Sequence, residues 1–392
     1  MAGTNDTYRV PLGVSAHIGR NLYPTWVSAA VAGRWGTVPV SAALSTLNTR
    51  DNPSINPVYP SSPEWYGNTG FTSIMYAWCG GCYDTSSDVF WLPLQGGHQD
   101  YAGNEPYKLQ LNSENPTWVM LRPPSGAIGN LLTTNDGQES SGVYSDGRPR
   151  AVHSYNKPVY VPGVGPYIAL QGNTSWTAGG GRPGPIKVDP ITGEATFYST
   201  NTLLNGVSSG LGSTFDPTRG TQGSIWVRGV GTGRFHRFDV ATDTWYQNIG
   251  PSTSSTGYCS LAYMPEYDCI MWSDTFGQLR IFDCSNNTVH TPSISGTITA
   301  ALSGAQLVWV NGKAYTWNNS SNTTLITRIS PGADPRTSLI VDTLVVGGGN
   351  ATVPNSAATT GTYGRFWYST NFNMFFLTNG INGPVYYFKP LD

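Results

Sequence analysis

Charge is scarce in this chain of 392 residues: Lys and Arg number 21, Asp and Glu 23, and the net charge is −2. Charged side chains are 11% of the sequence, against about 25% in an ordinary globular domain. Nucleic-acid binding needs a clustered basic excess, so no nucleic-acid partner is expected. Long apolar runs are missing too. No stretch approaches the roughly 18 consecutive apolar residues of a membrane span, and no membrane insertion is expected. The opening MAGTNDTYRVPLGVSAHIGR lacks the apolar core of a secretory signal, which predicts synthesis in a cytoplasm without a signal peptide. Cysteines number 5, odd for a disulfide framework, and a chain this long needs no staples. Helix-period apolar patterning is nearly absent.

What the chain does have is ring side chains, with 13 Trp, 22 Tyr and 13 Phe, enough to bury a large core. Gly (47) and Pro (28) are frequent, yet fall short of the roughly 25–30% that marks low complexity. Short alternating runs of Val, Ile, Tyr, Phe and Trp, separated by Gly, Asn, Asp and Pro, read as strands and turns. They recur in groups of four at the roughly 40–50-residue spacing of propeller blades. The first group runs TSIMYAWCGGCYD, DVFWLPLQGG, YKLQL, TWVMLRP, and four more follow, the fourth ending in TVHTPSI. The sixth, RFWYSTNF, MFFLTNG, VYYFKP, has three strands. Near the other end, AGRWGTVP carries Trp35 in the pattern of Trp118 and Trp245. Residues 33–40 are therefore expected to supply the missing outer strand, since a ring closes best when both chain ends zip into one blade. The expected fold is all-β: a six-bladed propeller of four-stranded antiparallel blades over residues 33–392. Residues 1–32 are expected to form an N-terminal arm outside the ring.

Gly96-Gly97, Tyr107 and Trp118 resemble a kelch-type, galactose-oxidase-like β-propeller repeat: a glycine pair closing strand two, Tyr in strand three, Trp in strand four. The resemblance covers roughly residues 71–172 and fades in later blades. It implies a fold and says little of activity. The copper chemistry of galactose oxidase would need two His, two Tyr and a Cys joined to one of those Tyr, and no such set can be matched here. No metal site and no cofactor are expected.

In a propeller, the loops between strands two and three share a face with the connections between blades. The longest of these, 41–70, 96–106, 124–149 and 172–183, gather beside blades one and two, and long structureless loops are commonly functional. They bring Trp65, Tyr66, Tyr101, Tyr144 and Trp176 beside His98, Asp100, Asn104 and Glu105, with Arg150 and His153 entering from blade two. Ring faces beside hydrogen-bonding groups suit carbohydrate. The binding residues expected from this set are Trp65, Tyr66, His98, Asp100, Tyr101, Asn104, Glu105, Arg150, His153 and Trp176. In the competing structural reading the aromatics pack their own loops, and the polar cluster pins the blade-one loop to blade two. A His beside two carboxylates also suits acid–base catalysis, and Arg148, Arg150 and Arg182 could meet an acidic sugar. Cys79-Gly-Gly-Cys82 has no second pair and no βαβ setting, so it reads as buried thiols. Cys269 and Cys284, placed symmetrically about Phe276-Gly277, are expected to be cross-strand neighbours, reduced or bridged.

The scarcity of charge, the missing secretion signal and a polar Gly/Ser/Thr/Asn surface with aromatic loops resemble bacteriophage virion proteins. The leading expectation is a non-catalytic virion protein of tail or receptor-binding type, recognising host cell-surface polysaccharide. Other virion proteins would be its partners, in several copies per particle. One alternative is a glycan-degrading hydrolase or lyase using His98, Asp100, Glu105 and His153. The other is a purely architectural decoration of capsid or tail.

Overall fold

A computed structural model describes residues 23–47, 69–97, 100–101, 103–125, 144, 146–168, 185–197, 212–228, 233–253, 258–273, 277–344 and 352–391. Six separate sheets are formed, one per repeat. Each contributes an inner strand: Cys82–Asp84, Pro158–Val161, Gly212–Asp216, Ser260–Met264, Gln306–Val310 and Phe366–Ser369. Each inner strand packs against those of the two flanking blades, and the sixth meets the first, so the ring is closed. Together they line a channel of about 480 Å³.

Closure follows the expected route. Arg34–Thr37 pairs antiparallel with Val385–Lys389, placing Trp35 opposite Phe388. The Trp35 indole is buried and donates to the Thr324 carbonyl at 2.8 Å. This pairing covers what would otherwise be an open strand edge.

Three details add to or depart from the sequence reading. Blade five has an additional strand, Ser293–Gly296, running parallel to Ser338–Thr343 on its outer side. Blade four's outer strand stops at His290, because Pro292 cannot donate to the ladder and the chain crosses to the next blade. Second, the described part of the N-terminal arm lies against the ring. Trp26 packs on Phe372 and Phe376, with centroids 5.8 and 6.2 Å away. The Glu114 carboxylate accepts the Thr25 N–H at 3.0 Å, capping the one-turn helix Thr25–Ser28. Third, Cys269 faces Asp283, and the Cys284 N–H bonds the Asp268 carbonyl. The two thiols are thus one residue out of register, and all five cysteines are buried and unbridged.

Inner-strand turns repeat a device that the sequence reading overlooks. Tyr83, Tyr263 and Tyr368 each donate their hydroxyl to a residue five positions on: Asp88, Asp268 and Asn373. Those acceptors have left-handed backbones, with φ of 56°, 50° and 52°, a conformation that Asn and Asp tolerate best after Gly. At Asp268 the turn also ties two blades together. Arg219 of blade three grips both Asp268 oxygens at 2.6 Å and Asp216 at 2.7 Å. The Arg219 hydrogen bonds are the main reason the Asp268 carboxyl is held down at about 2, below its ordinary 3.8. A carboxyl that titrates lower folded than unfolded stabilises above its ordinary value, and that contribution is lost as pH falls towards the folded value. With discount for partial exposure, it amounts to about 1–2 kcal/mol. Arg219→Gln is expected to flatten this acid loss, read as a smaller drop in melting temperature between about pH 5 and about pH 2.

Candidate functional site

The channel mouth opens, on the face carrying the two-to-three loops and blade connections, into a basin of about 900 Å³. Its construction begins where each chain segment enters an inner strand. Trp78, Tyr155, Tyr258 and Tyr363 stand two to four residues ahead of the inner strands of blades one, two, four and six. All four have left-handed backbones, φ 50°, 47°, 63° and 47°. Bulky residues rarely adopt this conformation, and each instance costs on the order of 1–3 kcal/mol. The strain is sustained by packing about one ring. Tyr155 is buried and meets Tyr258, Tyr363 and His153 at 5.9, 5.7 and 5.9 Å between centroids. Trp78, Tyr258 and Tyr363 line the basin.

Blade one contributes the acidic wall. A 3-10 turn, Gly70–Thr72, and a one-turn helix, Ser73–Tyr76, sink Phe71, Ile74 and Met75 into the core, which aims the chain at Trp78. The Gly70 N–H bonds the Asp100 carbonyl at 2.8 Å, fastening the two-to-three loop above it. Asp100 Oδ1 accepts the Thr69 hydroxyl at 2.6 Å, and Oδ2 lies 2.8 Å from His153 Nε2. The His153 ring, 5.1 Å from Trp78, rests on Gly97. Gly96 and Gly97 are both left-handed (φ 119° and 82°), and a Cβ at Gly97 would fall 1.6 Å from the imidazole. Gly97 is therefore the seat of the next blade's histidine, while a Cβ at Gly96 would meet the Tyr101 carbonyl at 2.4 Å.

On the far side, Asn318 donates to the Ala301 and Ser303 carbonyls at 3.0 and 2.9 Å and accepts the Thr362 hydroxyl at 2.7 Å. Its amide thus joins the top of blade five to the entry of blade six. Beneath the basin, the Asn156 amide reaches across the axis to the Cys259 and Ala305 carbonyls at 2.9 and 2.7 Å. Lys157 is fully buried beside it; its Nζ has no hydrogen-bond partner among the described residues and lies 5.2 Å from the Tyr155 ring centroid. Burial pulls the Lys157 amine down to about 7.

The residues expected from the sequence are distributed unevenly. Asp100 lines the basin and His153 backs it. Tyr101, Asn104, Glu105 and Arg150 are buried, and none of them lines the basin. Glu105 Oε1 accepts the Tyr101 and Tyr107 hydroxyls at 2.6 and 2.8 Å, and burial raises its carboxyl. Asn104 donates to Ser125 and to the Pro149 carbonyl, both at 2.9 Å, which pins the blade-one loop to the approach of blade two. The Arg150 guanidinium lies 5.7 Å from the Tyr144 ring centroid, and Arg148 pairs with Asp146 at 2.7 Å. Trp65, Tyr66, His98, Trp176 and Arg182 lie outside the described residues. Among the described residues no three His, Cys, Asp or Glu side chains come together to hold a metal ion. Sequence reasoning missed Trp78, Tyr258, Tyr363 and Asn318. The available signal was an aromatic recurring just ahead of the inner strand in four of the six repeats.

No family model matches the chain, and no curated protein does. Among solved structures, a protein of unknown function from Bacteroides thetaiotaomicron aligns with a TM-score of 0.50 at 10% identity. The alignment covers 90% of this chain and 75% of that one. The likeness is one of fold alone. The kelch-type resemblance accordingly rests on the motif residues of blade one and no wider match.

Proposed function

We propose that the chain is a non-catalytic glycan-recognition module of a bacteriophage particle, with the basin at the channel mouth as its sugar site. The observation that carries the glycan reading is the strained aromatic floor of Trp78, Tyr258 and Tyr363 facing hydrogen-bonding walls of Asp100, Ser303 and Asn318. Rings cover the C–H face of a pyranose while amide, hydroxyl and carboxylate groups meet its hydroxyls. Backbone strain of this kind collects at ligand clamps. The virion setting is supported by composition: few charges and a polar, aromatic-looped surface.

The test is titration of the purified chain with host envelope polysaccharide. Trp78→Ala is expected to weaken binding about tenfold or more while the melting temperature holds. Equal affinity of variant and parent would remove the basin from recognition.

The Asp100–His153 pair, 2.8 Å apart at the wall, favours a second reading as a glycan-degrading hydrolase or lyase. Glycosidases place two carboxyl groups across the scissile bond. Here Asp100 lines the basin and Glu105 is buried behind it, which weighs toward recognition. Release of new reducing ends from the polysaccharide, abolished by Asp100→Asn, would instead establish the enzyme.

A further inference from the structure

The channel shares no lining residue with the basin, and its outer end lies on the opposite face, where the inner strands finish. Each inner strand carries one aromatic residue at its next-to-last position: Tyr83, Tyr160, Phe215, Tyr263, Trp309 and Tyr368. All six line the channel. Tyr83, Tyr263 and Tyr368 give their hydroxyls to Asp88, Asp268 and Asn373 in the strand turns, and the Trp309 indole donates to Glu266 at 3.0 Å. None of these acceptors lines the channel, and among the described residues no Asp, Glu, Lys, Arg or His does. An ion entering it would give up water with no opposite charge to meet it, whereas an uncharged apolar guest gains from burial. One polar group in the wall is idle. Ser213 is 3% exposed and lines the channel, and its hydroxyl has no hydrogen-bond partner among the described residues. Buried hydroxyls are ordinarily satisfied, so this one calls for a partner. Ser213 stands two residues before Phe215 on the same strand, on the same face and roughly 7 Å deeper.

We propose that the channel is a second binding site, independent of the basin, for an uncharged small molecule with an apolar body and one hydrogen-bonding head. The head meets the Ser213 hydroxyl at the inner end, and the body lies among the six aromatics. The Ser213 N–H donates to the Asn156 carbonyl at 2.9 Å, which fixes the serine against blade two. At about 480 Å³ the channel falls within the usual range of roughly 300–1,000 Å³ for ligand sites.

The experiment compares three probes of one chain length by calorimetry on the full chain at about pH 7: 1-octanol, octanoate and octylammonium, the last two being ionised there. 1-Octanol is expected to bind about tenfold or more tighter than either ion. Ser213→Ala is expected to weaken 1-octanol about fivefold without lowering the melting temperature, since the hydroxyl it removes has no partner in the free chain. Val308→Trp places a bulky ring at a half-buried lining position and is expected to abolish binding in a chain that still melts cooperatively. Should that variant fail to fold, Ser213→Ala decides alone. Absence of 1-octanol binding, an ion bound as tightly as the alcohol, or full affinity in either folded variant overturns the proposal. The glycan reading concerns the other face and is untouched by any of these results.

Discussion

Gly364→Ala is expected to destabilise the chain by at least about 3 kcal/mol, measured by urea unfolding. A Cβ at this position would lie 1.9 Å from the Gly81 carbonyl oxygen and 2.8 Å from the Gly81 nitrogen. These are backbone atoms of a neighbouring blade, which cannot rotate aside as a side chain would. Gly80 is equally confined: its Cβ would meet the Tyr155 carbonyl at 2.2 Å and the Gly364 nitrogen at 2.7 Å. Blades six, one and two therefore approach one another through bare backbone near the axis, and an added methyl group must push the ring apart. Gly380→Ala is the control. Nothing lies within 4 Å of its Cβ position, and a change within about 0.5 kcal/mol is expected there, as at ordinary surface positions. A Gly364→Ala chain as stable as the control would mean that the blades do not converge this closely.

The second large effect has the opposite sign. Lys157→Met is expected to raise stability by about 2–4 kcal/mol at about pH 6, since a buried, unpaired ammonium is exchanged for an apolar side chain of similar length. The amine titrates at about 7 in the folded chain against an ordinary 10.5. Folding therefore disfavours its proton: the penalty is complete below the folded value and is relieved as pH climbs towards the unfolded one. The parent chain should gain stability between about pH 7 and about pH 10, and the methionine variant should lack that slope. A variant less stable than the parent at every pH would show that the ammonium is well solvated where it lies.

Much of the architecture was legible because it repeats. Trp35, Trp118 and Trp245 mark outer strands, and that shared mark was enough to place residues 33–40 beside the chain's last strand, where Trp35 lies opposite Phe388. The extra strand of blade five was not legible, since Ser293–Gly296 has the same polar character as a loop and gains its place through tertiary pairing. Loop length pointed to the face on which the basin opens, while several of the residues it singled out are buried behind that basin. Glu105 and Tyr101 look like ligand-binding groups in sequence, whereas both are buried behind the basin and hydrogen-bonded to each other. Cys79-Gly-Gly-Cys82 drew attention for its thiols, but its glycines do the work, admitting the backbones of Tyr155 and Gly364. The basin aromatics escaped notice because their role depends on a backbone angle, which composition and periodicity do not report.

The pairing of Arg34–Thr37 with Val385–Lys389 has a consequence for biosynthesis. During translation the outer strand leaves the ribosome early and has no partner until about 355 further residues have been added. At about 5–20 residues per second that wait lasts roughly twenty to seventy seconds. Throughout it, Trp35 belongs to a nascent chain with one exposed strand and an unfinished circle of sheets. A chaperone that shields such an edge would therefore act on the amino-terminal segment first and release it last.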